Sequence, residues 1–201
     1  TRRAYHGRYG AWYAAHGQYL HALAAYRKGE DYDAVLQVIQ DDAGILLAAL
    51  SPEEVLAFLD VCPRGTLQAH PLTLLVLMRR MFTWQQIPKM LELRALLLAG
   101  IEAHPELPDA ERDNLLGECD LIMSFLQYND IAAMSRLHRS AAARMTRPAI
   151  SIRNEGSWTF GSPSVLMMFH RTLGQLDAEL DAMNACMPHY YRLTNGHGQG
   201  A

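Results

Sequence analysis

The chain has few cysteines, and their spacing does not suit them to a structural or metal-binding role. Cys62, Cys119 and Cys186 are far apart, and each lies in an apolar stretch with helical spacing. A disulfide framework or a zinc site needs closer, paired cysteines. The spacing therefore predicts three buried thiols outside any disulfide, in a reducing cytosol, and we expect a cytoplasmic protein.

Motifs for catalysis and metal binding are also missing from the sequence. It contains no G-x-S-x-G, Walker-type loop or dinucleotide fingerprint, and none of its nine histidines lies in an H-E-x-x-H pair. Asp177 and Asp181 share a helix face, but no other titratable group converges on them, which favours a solvated face over acid–base chemistry. We therefore expect no catalytic residue, metal or cofactor in this chain, and a protein that is not an enzyme.

Long apolar runs and an excess of positive charge are absent as well. A membrane-spanning helix needs about 20 apolar residues, whereas the longest candidate, residues 72–78, is followed at once by Arg79 and Arg80. The net charge of -3 gives the chain no overall attraction to phosphate. These features predict no membrane contact and no nucleic-acid binding by this segment.

What the sequence does contain is a series of short amphipathic helices separated by turns. Three turns are followed by an aromatic or apolar residue and, three positions later, by a packing residue; they begin the stretches 17–22, 29–35 and 129–134. Stacked helix-turn-helix repeats have this pattern, and such stacks are usually binding surfaces. The pattern predicts an all-α fold, a right-handed superhelical stack of antiparallel helix hairpins similar to a tetratricopeptide-like α-solenoid.

We expect residues 1–201 to form one helical-repeat domain fragment of a larger protein, because both ends look cut. Its expected parts are regular helix hairpins (1–147), an irregular insertion (148–163), further helices (164–194) and the truncated start of a next repeat (195–201).

Local signals support several of these helices. Ser51, Pro52 and Glu54 form the start signal of a capped helix. Residues 109–147 have the length of one tetratricopeptide-type hairpin, with Ile122 at the centre of the apolar face of its first helix. Pro188 is expected to kink or end the last helix.

Aromatic residues mark the predicted binding surface. Aromatic faces stack on sugars and apolar ligands at low entropic cost, although core packing is an alternative role for them. The expected ligand or partner surface consists of Trp158, Phe160, His189, Tyr190, Tyr191 and Arg192.

A basic group could meet an anionic partner, or simply complement the end of an exposed helix. It consists of Arg136, Arg139, Arg144 and Arg147.

Several segments resemble MalT-like regulators of the LuxR family. Residues 9–17, 22–23 and 29–35 (YGAWYAAHG, AL and GEDYDAV) resemble the junction after the winged-helix region, and 162–166 and 193–198 look like the repeat region of bacterial members. Helix lengths vary and depart from the strict tetratricopeptide pattern. The resemblance implies a repeat domain that senses an inducer (maltotriose in the namesake) and supports oligomerisation. ATP would bind a separate domain, and DNA would be contacted only through a domain outside this chain.

The expected function is therefore that of a sensor and interaction segment of a LuxR-type transcriptional regulator. It would bind a small-molecule inducer or a protein partner, with possible self-association, and couple binding to transcription activation. No inducer-contacting residue can be transferred from the family. The alternative is a helical-repeat protein–protein adaptor without a small-molecule ligand.

Overall fold

The computed structural model describes residues 2–127, 130–153 and 173–198, and all regular elements in these ranges are helices. The all-α prediction is confirmed at this level, whereas the superhelical solenoid stays a prediction. The chain divides into two compact units, Thr1–His104 and Pro105–Ala201. That both belong to one continuous repeat domain also stays a prediction. No helix in the described ranges is long and apolar enough to cross a membrane.

The first unit follows the predicted succession of short helices closely. Its α-helices are α1 (Arg2–Ala15), α2 (Tyr19–Lys28), α3 (Tyr32–Asp41), α4 (Pro52–Val61), α5 (Arg64–Gln68), α6 (Pro71–Thr83) and α7 (Ile87–Ala103). Helix α2 packs against α1 and α3, and α6 packs against α3, α5 and α7. The sequence pattern did not predict α5 or the 3-10 helix Ile45–Ala49, because both are too short to show helical periodicity.

Side-chain caps define where two of these helices begin. Ser51 and Glu54 form the predicted capping box: the Glu54 amide donates to Ser51 Oγ at 3.2 Å, and the Ser51 amide donates to Glu54 Oε2 at 3.0 Å. Asp31 caps α3 by accepting from the Ala34 amide at 3.3 Å. Each cap satisfies amides that a helix leaves unpaired in its first turn.

Helix α6 supplies much of the core of the first unit. Its fully buried side chains include Leu74, Leu75, Leu77, Met78 and Met81. The buried Thr73 hydroxyl donates to the Leu36 carbonyl of α3 at 2.9 Å. The buried hydroxyl of Thr73 therefore has the hydrogen-bond partner that a polar group in the core requires.

Glycine permits the close approach of α1 and α2. A Cβ atom at Gly10 would lie 2.5 Å from the ring of Tyr26, so only a hydrogen fits between helix and ring. Gly17 forms the turn between the two helices with a φ of +68°, a left-handed conformation that favours glycine. These two positions hold α1 against α2.

The second unit is built on the predicted hairpin. Helix α8 (Asp109–Met123) continues into a 3-10 turn (Ser124–Gln127), and α9 (Ile131–Arg144) packs against α8. Ile122 is fully buried, which confirms the predicted apolar face. The last helix, α10 (Leu176–Leu193), also packs against α9.

Helix α10 does not end at Pro188, contrary to one of the expected outcomes. It runs on for more than a turn to Leu193, although proline deprives the preceding turn of one hydrogen bond. Buried side chains on both sides of the proline, Met187 before it and Tyr190 and Leu193 after it, anchor the helix to the unit and offset that loss. Residues 195–198 form a turn, and the truncated repeat expected there stays a prediction.

Candidate functional site

Four of the six residues of the predicted aromatic surface lie among the described residues, and they differ in their exposure. Trp158 and Phe160 lie outside the described residues. On α10, Arg192 is exposed, His189 and Tyr191 are half-buried, and Tyr190 is fully buried. The four α10 residues therefore do not form one surface, and Tyr190 takes the alternative role of core packing.

Tyr190 belongs to a buried polar cluster inside the second unit. Its hydroxyl lies 2.7 Å from Nδ1 of His197, and its ring lies 5.0 Å from that of His138 and 6.4 Å from that of Phe125, measured between centroids. The hydroxyl is thus hydrogen-bonded within the core, as a buried tyrosine requires. Tyr190 stabilises the packing of α10 on α9 and does not offer its ring to a ligand.

The same cluster holds a serine–histidine pair. His138 Nε2 lies 3.0 Å from Ser124 Oγ, and Ser124 Oγ donates its proton to the Leu121 carbonyl at 2.6 Å. With that proton engaged, Nε2–H must donate to Ser124, so the histidine cannot act as a base towards the hydroxyl. Both side chains are buried, at 0% and 1% exposure. Serine and histidine are the residue types of a catalytic nucleophile and its base. Here, however, the histidine donates to the serine hydroxyl, whereas a catalytic base would accept its proton.

Burial also determines the protonation state of His138. Its Nδ1 atom is buried and has no hydrogen-bond partner among the described residues. Burial, and to a smaller extent the positive charge of His189, lowers the pKa of His138 from 6.5 to about 4. His138 is therefore a neutral core residue at neutral pH.

Arg147, one of the four arginines of the predicted basic group, is used within the second unit. Arg147 Nη1 donates to Glu118 Oε1 at 2.6 Å, and Nη2 donates to Glu111 Oε1 at 2.7 Å. The other carboxylate oxygen of Glu118, which is fully buried, accepts from the amide and hydroxyl of Ser151 at 2.9 and 2.6 Å. This network fastens the segment after α9 onto α8, so Arg147 is not available to an anionic partner.

The three cysteines are buried, as predicted, and form no disulfide in the described ranges. Burial, followed by the charge of Asp33, raises the pKa of the Cys62 thiol to about 11, which disfavours the reactive thiolate. Among the described residues no group of three or more His, Cys, Asp or Glu side chains is placed to hold a metal ion.

A polar cavity lies in the first unit, where α1 begins and the chain turns from α2 into α3. Its volume is about 530 Å³, within the range of small-molecule sites. The lining combines three cations with two carboxylates, a hydroxyl and a phenol: Arg2, Arg3, Lys28, Gly29, Glu30, Tyr32, Asp33 and Thr66. Oδ1 of Asp33 also lies 3.1 Å from Nε2 of His70. Asp31, which lies between two lining residues in the sequence, has its Oδ1 atom 3.9 Å from Nη2 of Arg3.

A second feature of the first unit is the outward face of α1. Tyr5, Tyr9 and Trp12 are each about half exposed, and His16, just after the helix, continues their row. Neither this face nor the cavity was predicted. The spacing of the rings in the sequence shows that they share one face of α1. It does not show whether that face is buried or exposed to solvent.

Comparisons with known proteins identify no relative of this chain: no family model, no curated protein and no solved structure matches it. The similarity to MalT-like regulators therefore stays an expectation based on the segments quoted above.

Proposed function

We propose that this chain is a helical sensor segment, as in a MalT-like regulator of the LuxR family, and that its inducer binds in the polar cavity of the first unit. The observation that carries the proposal is the lining of that cavity, which combines Arg2, Arg3 and Lys28 with Glu30 and Asp33. Guanidinium and ammonium groups bind an anionic group, while carboxylates accept hydrogen bonds from hydroxyls. This combination fits a phosphorylated or otherwise acidic sugar.

The position of the cavity connects ligand binding to helix packing. Its residues come from the start of α1, the end of α2, the start of α3, and α5. A ligand that binds one arrangement of these helices more tightly would shift the population towards that arrangement. In a multidomain regulator, such a shift would be coupled to self-association and transcription activation.

The test is a thermal-shift screen with oligosaccharides, sugar phosphates and small aromatic metabolites, followed by calorimetry. We expect a saturable rise in the melting temperature with a sugar phosphate and a smaller effect with the neutral sugar. Arg3→Gln should abolish the rise, because Arg3 lines the cavity. Arg8→Gln is the matched control: it removes one cation from the same helix at a position outside the cavity lining.

The alternative function is a protein–protein adaptor without a small-molecule ligand, and the exposed aromatic residues of α1 favour it. A flat screen on folded protein, or an equal loss of response in both variants, would contradict the inducer site and favour the adaptor.

A further inference from the structure

The outward face of α1 carries a row of rings in two contacting pairs. Tyr5, Tyr9 and Trp12 are 52%, 46% and 53% exposed. The rings of Tyr5 and Tyr9 lie 4.7 Å apart, and the ring of Trp12 stacks on that of His16 at 4.1 Å. The opposite face of the helix, at Gly10, packs on Tyr26. The row is therefore supported from behind by the first unit and is open to solvent in front.

The spacing of the row is that of a helix–helix seam. Positions 5, 9, 12 and 16 are separated by four, three and four residues, the alternation of d and a positions in a heptad repeat. They span about 17 Å along the axis, at a rise of about 1.5 Å per residue. A seam of this kind normally packs against another helix. Tyrosine and tryptophan are also the side chains that contribute most at protein interfaces.

The charge around the row has one sign. Residues 2–28 contain five Lys and Arg and no Asp or Glu, whereas the rest of the chain contains 13 Lys and Arg against 21 Asp and Glu. Arg8 is exposed beside the row, at a g position of the same heptad register, and forms no salt bridge within the described residues. In paired helices, charges at e and g positions select a partner of the opposite charge.

We propose that this aromatic face, defined by Tyr5, Arg8, Tyr9, Trp12 and His16, docks an amphipathic helix of a partner protein that has an apolar seam and acidic flanks. The apolar seam would pack between the rings, and the acidic flank would pair with Arg8. A protein helix fits better than single-stranded nucleic acid, because His16 already covers one face of the Trp12 ring. The inference is independent of the cavity and holds whether or not an inducer binds there.

The probe for this surface is a synthetic peptide of about three heptads with Leu at a and d and Glu at e and g. Repulsion between the glutamates keeps the peptide from pairing with itself. The comparison peptide has Lys at e and g. Calorimetry should show saturable binding of the Glu peptide and at least about tenfold weaker binding of the Lys peptide.

Matched variants locate the binding site. Trp12→Ala should weaken binding of the Glu peptide by about tenfold or more, as expected for an aromatic anchor. Leu91→Ala truncates a similarly exposed side chain on α7 and should leave binding unchanged. Arg8→Glu should reverse the preference towards the Lys peptide. Tyr9→Ala replaces Trp12→Ala if circular dichroism shows that the latter does not fold.

Four outcomes would overturn the proposal. The first three are no binding of the Glu peptide, equal binding of both peptides, and an equal loss of affinity in Trp12→Ala and Leu91→Ala. The fourth is that oligothymidylate, or a second copy of the chain detected by sedimentation, occupies the face in preference to the peptide. Neither Arg8 nor Trp12 lines the cavity, and Arg3, which does, is not part of the aromatic face, so failure of one proposal is distinguishable from failure of the other.

Discussion

Acidification should destabilise the second unit through His138. This side chain is 1% exposed, and its Nδ1 atom has no hydrogen-bond partner in the part of the chain that the structure describes. Its pKa in the folded protein is about 4, against 6.5 for the ordinary side chain. The unfolded chain therefore binds a proton at a higher pH than the folded protein does. The free energy of unfolding should be unaffected by this residue above about pH 6.5 and should fall as the pH drops towards 4.

The magnitude follows from the difference between the two pKa values. Each pKa unit corresponds to about 1.4 kcal/mol, so the loss attributable to His138 should reach about 3 kcal/mol at pH 4 and then level off. That is a substantial share of the stability of a domain, which is typically about 5–15 kcal/mol. His138→Phe retains a ring of similar shape but cannot be protonated, so it should lack this loss.

The assay is urea unfolding followed by far-ultraviolet circular dichroism, repeated from neutral to acidic pH on the wild type and on His138→Phe. The quantity of interest is the difference between the two free energies of unfolding, because carboxylate titration affects both proteins alike. His16→Phe, which changes an exposed histidine, should follow the wild type. Parallel curves for the wild type and His138→Phe would refute the reasoning and show that protonated His138 is accommodated in the fold.

Two further pairs of variants test the packing. Gly10→Ala should lower the melting temperature, because its Cβ would lie 2.5 Å from the facing tyrosine ring and overpacking costs about 1–3 kcal/mol. A Cβ atom at Gly7 in the same helix would meet no described atom within 4 Å, so Gly7→Ala should raise the stability by about 0.5–1 kcal/mol. Stability changes of the same sign in both variants would contradict the α1–α2 contact. Arg147→Ala leaves Glu118 buried without its cation and should cost about 3 kcal/mol or more in urea unfolding. Arg144→Ala removes an exposed ion pair and should cost less than about 1 kcal/mol. Similar losses of stability in Arg144→Ala and Arg147→Ala would show that the buried pair stabilises the fold no more than the exposed one.

Local structure was the part of this fold that could be predicted. The capping box at Ser51 and Glu54 involves residues three positions apart, so the sequence pattern and the observed hydrogen bonds coincide. The burial of Ile122 likewise follows from helical spacing alone. In contrast, an end of the last helix at Pro188 was one of two outcomes expected from the local effect of proline, and the helix continues because buried residues on both sides of Pro188 anchor it.

The candidate sites were less predictable, because they depend on contacts between distant residues. The cavity brings Arg2 and Arg3 together with Thr66, and the buried network joins Glu118 to Arg147 and Ser151. No periodicity relates residues about 30 or 60 positions apart. Tyr190 shows the same limit, since an aromatic residue near a helix end can line a groove or fill the core with equal local propensity.

Local sequence was enough to predict the capped helix start at Ser51 and the apolar face around Ile122, because both depend on residues within one or two turns of each other. Which aromatic residues are buried and which are exposed depended on how the helices pack together. Tyr190 entered the core because α10 packs on α9, whereas Tyr5, Tyr9 and Trp12 stayed on the surface because Gly10 turns the opposite face of α1 towards Tyr26. Burial depends on which elements meet, and that is a property of the whole chain rather than of any one helix.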